Sequence, residues 1–313
     1  MSGVFTVVSF YDFSLITDIE KISKEIEKFC VSRKLQGSII LAQEGINGSV
    51  AGHEGTVNEF ITYLEGLNFN QLNLKISKSP EMPFYRLKVK IKKEIISMLG
   101  ESLDPDKERA SLVNASDWNQ VISTENTILI DVRNEYETRI GSFQDAITPN
   151  IENFKEFKEF IDTQLIKHKD KKIAMFCTGG IRCEKASYYM NSLGFDDVVQ
   201  LDGGILKYLE TVPEAESKWQ GECFVFDERV SLKHELEVGT YSLCRGCNEP
   251  LSPEDKNVFG YEKDVSCAHC FDITNDAKKE SSRERVRQIE LAEKRGEESV
   301  YLPGPLEKFI PEN

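Results

Sequence analysis

Three short, unbroken apolar runs limit how the middle of this chain can fold. They occupy 127–131, 172–177 and 198–201. A run without polar alternation is what a strand covered on both faces requires. Helical patterns lie between them, at 154–166 and 183–193, the second closing at Gly194, which suits a helix C-terminus. Strands alternating with helices predict an α/β unit with a parallel sheet, assigned here to 115–212.

The flanks read differently. In 1–97 a strand pattern at 5–10 precedes a helix carrying Ile19, Ile22, Ile26 and Phe29 on one stripe. Two apolar runs then flank Glu44-Gly-Ile-Asn-Gly48, which reads as a hairpin turn. A second helix at 56–67 and strands at 72–77 and 84–96 complete the order β-α-β-β-α-β. That order predicts a ferredoxin-like, or acylphosphatase-like, α+β domain. A polar stretch, 98–114, containing Asp104-Pro105-Asp106, is expected to be a linker. The remainder, 213–313, holds a strand-like Glu222-Cys-Phe-Val-Phe226, four paired cysteines, a charged helix at 276–295 and a tail with Leu302-Pro-Gly-Pro.

Composition narrows the setting. The 313 residues carry 39 basic and 53 acidic side chains, a net charge of −14, which argues against indiscriminate polyanion binding. No apolar run reaches the ~18 residues that span a membrane, and the N-terminus lacks the basic flank of a signal peptide. A soluble, cytoplasmic protein is expected. In a reducing compartment the eight cysteines point to metal binding or catalysis rather than a disulfide framework.

Cys177 ends one of the buried runs, and the loop Cys177-Thr178-Gly179-Gly180-Ile181-Arg182-Cys183 leads into a helix. Open α/β sheets bind ligands at the carboxyl ends of their strands. A glycine loop there can turn backbone N–H groups inward, and the helix adds its positive end. With Arg182 nearby, these groups are expected to hold Cys177 as a thiolate at neutral pH. Cys183 fits a resolving thiol or plain packing equally well; Cys30 and Cys223 read as packing.

Arg86, Lys88, Lys90 and Lys92 alternate with Leu87, Val89 and Ile91, which puts four cations on one face of a strand. With Phe84 and Tyr85 beside them, and Lys75, Lys78 and Lys93 near, this suits an RNA-contacting platform. A solvated face or a lysine-guarded sheet edge has the same pattern. Cys244-Arg-Gly-Cys247 and Cys267-Ala-His-Cys270 form two Cys-x2-Cys knuckles, the signature of a closed, structural zinc site. His269 is expected to be a neighbour of that site, not a ligand.

Ile130-Asp-Val-Arg-Asn-Glu-Tyr-Glu137, the Cys177 loop and Leu201-Asp-Gly-Gly-Ile205 resemble rhodanese motifs, in rhodanese order. Asp131, Arg133 and Glu137 are expected to organise that domain. Its Cys-x4-Arg spacing is one residue shorter than the phosphatase loop of the related cell-cycle type. With Ala42-Gln-Glu-Gly-Ile-Asn-Gly-Ser49 and the stretch from Pro83 to Glu94, the whole chain resembles the rhodanese-containing tRNA uridine hydroxylases. The resemblance implies oxidation of the wobble uridine to 5-hydroxyuridine at Cys177. Molecular oxygen would be the co-substrate, with no organic cofactor and no obligatory protein partner, and the anticodon arm of tRNA would be the partner. The competing reading is a sulfurtransferase passing a persulfide to a small thiol; an RNA-binding module with a degenerate rhodanese fold is a third.

Overall fold

The computed structural model describes residues 4–103 and 110–296, so Asp104-Pro105-Asp106 and the Leu302 tail lie outside the described residues. The described residues divide into two compact units, one of residues 4–224 with Leu232–Glu237, the other of Val225–Ser231 with residues 238–296.

The first unit opens with β1 (Phe5–Asp12), α1 (Ile19–Ser32), β2 (Gln36–Ala42), β3 (Gly45–Gly52), α2 (Glu54–Gly66), β4 (Asn73–Ser79) and β5 (Leu87–Ile91). The sheet order is β4-β1-β3-β2-β5, antiparallel except that β5 runs parallel to β2. Asp18 caps α1 by accepting from the Lys21 N–H. Val8, Phe10, Ile39, Leu41, Ile46 and Val50 bury one sheet face with Ile26, Phe60 and Leu64 of the two helices. The expected ferredoxin-like order is present, with β5 as an added edge strand.

Two local expectations change. The hairpin turn is Gln43 and Glu44, and Gly45-Ile-Asn-Gly48 belongs to β3. These glycines serve close approach instead. A Cβ at Gly45, whose φ is +145°, would lie 2.0 Å from the Asp12 carbonyl oxygen. The strand expected over 84–96 is confined to Leu87–Ile91. Beyond Lys92 the chain turns inward, because the Glu94 carboxylate is buried and gathers the N–H groups of Met98, Leu99 and Gly100.

The unit continues through β6 (Ser111–Val113), α3 (Ala115–Ile122), β7 (Thr127–Asp131), α4 (Glu135–Thr138) and β8 (Gly141–Phe143). An irregular helical stretch, with one regular turn α5 (Phe157–Phe160), replaces the continuous helix expected over 154–166. Then come β9 (Lys172–Phe176), α6 (Ile181–Ser192), β10 (Asp197–Leu201), α7 (Gly204–Thr211) and β11 (Trp219–Gly221). β6-β10-β9-β7 form a parallel sheet, as the apolar runs predict. Ile173 and Met175 pack with Phe154, Phe157, Ile161 and Met190 in one core cluster. Phe143 meets Phe176, Tyr208 and Trp219 edge to face in another layer.

The N-terminal sheet and this parallel-sheet domain meet through a buried ionic cluster. Lys185, on α6, donates to Glu44 at 2.8 and 3.0 Å and pairs with Glu94 at 2.5 Å. All three are buried. Glu44 also accepts from the N–H groups of Ile95 (2.8 Å) and Leu103 (2.5 Å). Two carboxylates against one ammonium are tolerated because backbone N–H groups take up the remaining negative charge. Lys185→Met should therefore lower unfolding stability by about 3–5 kcal/mol, the magnitude expected when a buried charge loses its partner. Chemical denaturation measures this; a loss below about 1 kcal/mol, the scale of an exposed pair, would contradict it.

Candidate active site

Cys177 follows the last residue of β9, at the carboxyl end of a central parallel strand. Its sulfur is 1% exposed and accepts from the Gly180 N–H at 3.1 Å. Gly180 caps α6 with φ +103°, and a Cβ there would meet the Tyr11 hydroxyl at 2.8 Å, so only glycine fits. Burial pushes the Cys177 thiol up, but the Cys183 thiol, the Arg182 charge and the N–H groups of Cys183 and Gly180 together bring it down to about 5. The Cys183 thiol is in turn raised well above its usual value, by burial first and by Cys177 second. Beside the two readings open for Cys183, a third is that its neutral thiol helps hold the neighbouring sulfur anionic.

Arg182 is placed differently from the simple expectation of a guanidinium open to an anion. Its fork binds Glu137 at 2.5 and 2.7 Å, with both side chains buried. The Thr178 hydroxyl donates to the same carboxylate at 3.3 Å. Glu137 also closes the capping box of α4 with Asn134. Arg182 thus adds positive potential near the sulfur while its donors are engaged by an anion. Asp131 and Arg133 form a second fully buried pair, at 2.8 and 2.6 Å, and Arg133 donates to the Gly141 carbonyl at 2.6 Å. They organise the domain, as expected.

Gly203 and Gly204 start α7, and Gly204 backs onto the reactive loop. A Cβ at Gly204 would lie 2.6 Å from the Cys177 carbonyl oxygen and 2.7 Å from that of Thr178. The next two N–H groups, of Ile205 and Leu206, donate to those same carbonyls at 3.0 and 3.1 Å. The loop backbone is therefore fixed from behind.

The N-terminal sheet supplies groups that sequence reading did not assign to this site. Lys75 of β4 is 8% exposed; its ammonium lies 4.8 Å from the centre of the Tyr11 ring, and its chain runs beside Gly179. It donates to the neutral side-chain amide of Asn73. The Tyr11 hydroxyl donates to Glu184 at 3.3 Å. Tyr11 is raised well above its usual pKa by burial, then by the negative charge of Glu184, Cys177 and Cys183. The available signal was strand alternation: Tyr11 and Lys75 share the sheet face opposite Phe10 and Leu74.

The basic stretch lies at the other edge of the same sheet. Lys88 and Lys90 are on β5, while Arg86 and Lys92 flank it; Arg86 and Lys90 are exposed, Lys88 and Lys92 half-buried. Leu87 and Val89 pack into the core, but Ile91 is 46% exposed and does not complete the apolar face. Lys92 is lowered by burial and by the neighbouring charges of Lys90 and Lys155, so a lysine of the parallel-sheet domain joins the patch. Strand register sets Lys88, Ser38, Ser49, Ser9 and Lys75 in one transverse row across all five strands. At ~4.8 Å per strand the row is about 19 Å long, and it ends beside the Cys177 loop.

In the second unit, the sulfurs of Cys244, Cys247, Cys267 and Cys270 all lie within 4.8 Å of one another and can hold a metal ion. Gly246 lets the first knuckle close, since a Cβ there would meet the Val265 carbonyl oxygen at 2.3 Å. The four are free thiols, not two local disulfides, and His269 is exposed. On the helix Asp276–Arg295, Arg283 pairs with Glu262 and Glu280, and Arg287 with Glu284, as a solvated helix would.

Alkylation of Cys177 by iodoacetamide, followed by peptide mass analysis, should rise with pH to a midpoint near about 5 and then level off. Cys183→Ala, which removes the thiol donor, should move that midpoint upward. An unchanged midpoint in the variant would remove Cys183 from the set of groups that stabilise the thiolate.

Residues 5–95 match the family described as UPF0176 acylphosphatase like domain, and residues 114–211 match the Rhodanese-like domain. A protein of Mesorhizobium japonicum named tRNA uridine(34) hydroxylase is 46% identical over 291 residues, covering 93% of this chain and 94% of its own. One of the same name from Brucella ovis is 45% identical over 293 residues, covering 93% of this chain and 96% of its own. Among solved structures, a rhodanese-related protein from Thermoplasma volcanium is 29% identical, with a TM-score of 0.27, covering 34% of this chain and 96% of that one. With 45–46% identity over 93% of its length to proteins of that name, the chain belongs to the tRNA uridine(34) hydroxylase family.

Proposed function

We propose that this protein hydroxylates the wobble uridine of tRNA to 5-hydroxyuridine, with Cys177 as the reacting group. The carrying observation is a buried sulfur lowered to about 5 at the end of a parallel strand, in a chain related over 93% of its length to proteins named for that activity. An anionic sulfur can add to the electron-poor C6 of a pyrimidine and raise electron density at C5, the atom to be hydroxylated. Thr178, Gly179, Gly180, Ile181, Arg182 and Cys183 shape the loop and hold its charge. One atom of molecular oxygen enters at C5 and the other leaves as water, with two electrons and two protons drawn from an external small-molecule reductant; loss of the C5 proton then expels the Cys177 sulfur from C6, and the proposal includes no organic cofactor bound by the protein. A sulfurtransferase acting on small thiols is less well supported, because the relatives matching 93% of the chain are named for uridine hydroxylation.

The RNA side rests on the sheet face. Arg86, Lys88, Lys90 and Lys92 would engage phosphates of the anticodon arm, and the hydroxyl-lined row leads from Lys88 to the Cys177 loop. A wobble base already lies in a loop, so little unstacking is needed to present it. No helix among the described residues is long and apolar enough to cross a membrane, which suits work on tRNA in the cytoplasm. Mass analysis of bulk tRNA from cells carrying Cys177→Ser should show loss of 5-hydroxyuridine derivatives; unchanged nucleosides would overturn the assignment. Lys88→Glu with Lys90→Glu should weaken tRNA binding about tenfold or more, as expected when two phosphate contacts are reversed, and equal affinity would remove the platform.

The four-cysteine cluster fits zinc. Sulfurs about 2.3 Å from a tetrahedral zinc ion are about 3.8 Å apart, and the Cys244–Cys270 and Cys247–Cys267 separations are 3.8 and 3.6 Å. Four thiolates leave no open position, so the ion would be structural. Elemental analysis of reduced protein should find one zinc per chain, lost in Cys244→Ser together with the thermal stability of the second unit.

A further inference from the structure

The positive charge nearest in sequence to the reactive sulfur is already engaged: Arg182 is bound at both ends of its fork by Glu137. Lys75 is not in that position. Its hydrogen-bond acceptor is the neutral Asn73 amide, it is nearly buried, and it lies beside Gly179 and over Tyr11. We propose that Lys75 is a positioning residue for Cys177: its ammonium, carried in by the N-terminal sheet, adds to the groups that hold the sulfur anionic.

The groups that face the sulfur and this ammonium agree with the assignment. Around Cys177, α6 supplies the Cys183 thiol and the paired Arg182; the neutral Tyr11 of β1 faces the sulfur and Glu184, and Glu184 and Asp202, after β10, face the Lys75 ammonium. Asp202 and Glu184 are anions that help keep the Lys75 ammonium charged, while Arg182 has its charge offset by Glu137. Burial pulls the Lys75 ammonium down, and the charges of Cys177, Asp202 and Glu184 act in the opposite direction, leaving it at about 8, still protonated at neutral pH. A lysine suits this place better than an arginine, being a compact point charge on a flexible stem that can follow an entering base.

The inference rests on Cys177 being the reacting sulfur, but its readout is the sulfur and not the tRNA product, so the two can fail separately. The experiment measures iodoacetamide alkylation of Cys177 against pH in the full chain, by peptide mass analysis, for the wild type and for Lys75→Met, Lys75→Gln and Lys75→Arg. Lys75→Gln keeps an N–H for Asn73 without the charge, and serves if Lys75→Met does not fold. Both neutral variants should move the alkylation midpoint up by about one unit, roughly a tenfold loss of thiolate on the acid limb, and Lys75→Arg should restore most of it. Midpoints unchanged in a folded neutral variant would overturn the proposal. So would an equal shift in Lys75→Arg, which would trace the effect to packing instead of charge.

Discussion

The buried contact of Lys185 with Glu44 and Glu94 is the constraint on which the arrangement of the first unit depends. Lys185 sits just over one turn into the helix that begins at the reactive loop, and its two acceptors come from separate stretches of the N-terminal segment. Ionic contacts of this kind are directional and lose much if slipped, because a displaced charge is left without solvent. Apolar packing between Tyr11, Phe13, Ala42 and Ile95 on one side and Ile181 and Tyr188 on the other accompanies it. Fixing Lys185 fixes the start of α6, and with it the distance from Cys177 to Tyr11 and Lys75.

The loop then works by division of labour. Desolvation alone would keep a sealed thiol neutral. It is opposed by a thiol donor, two amides and a guanidinium whose charge is partly spent on Glu137. These groups share one origin, in one helix and its cap, so the placing of the loop by α7 from behind sets them all at once. The four-cysteine unit follows another logic, in which closely spaced sulfurs in tight turns converge on a point that a metal can fill.

Much of this was legible in the residues. Unbroken apolar runs identify the parallel strands because strands covered on both faces need no polar alternate. The Cys-x2-Cys pairs announce their own convergence, since the knuckle is a local turn. Three things were not legible. Glu44 reads as the tip of a hairpin, because nothing local distinguishes an exposed carboxylate from one whose partner lies 141 positions away. Arg182 reads as an anion binder, because its true acceptor, Glu137, reaches it only through the folded sheet. Lys75 reads as one more lysine of the basic platform, and only the folded structure carries it beside Gly179 of the reactive loop.

The close approach of Gly204 to the loop has an evolutionary corollary. Even an alanine there would push on the peptide groups that set the direction of the sulfur, although the cysteine itself would be untouched. A relative that retained the nucleophile but lost this glycine would carry a misaimed thiol. In sorting active from inert members of such a lineage, the dipeptide after Asp202 is therefore as informative as the cysteine.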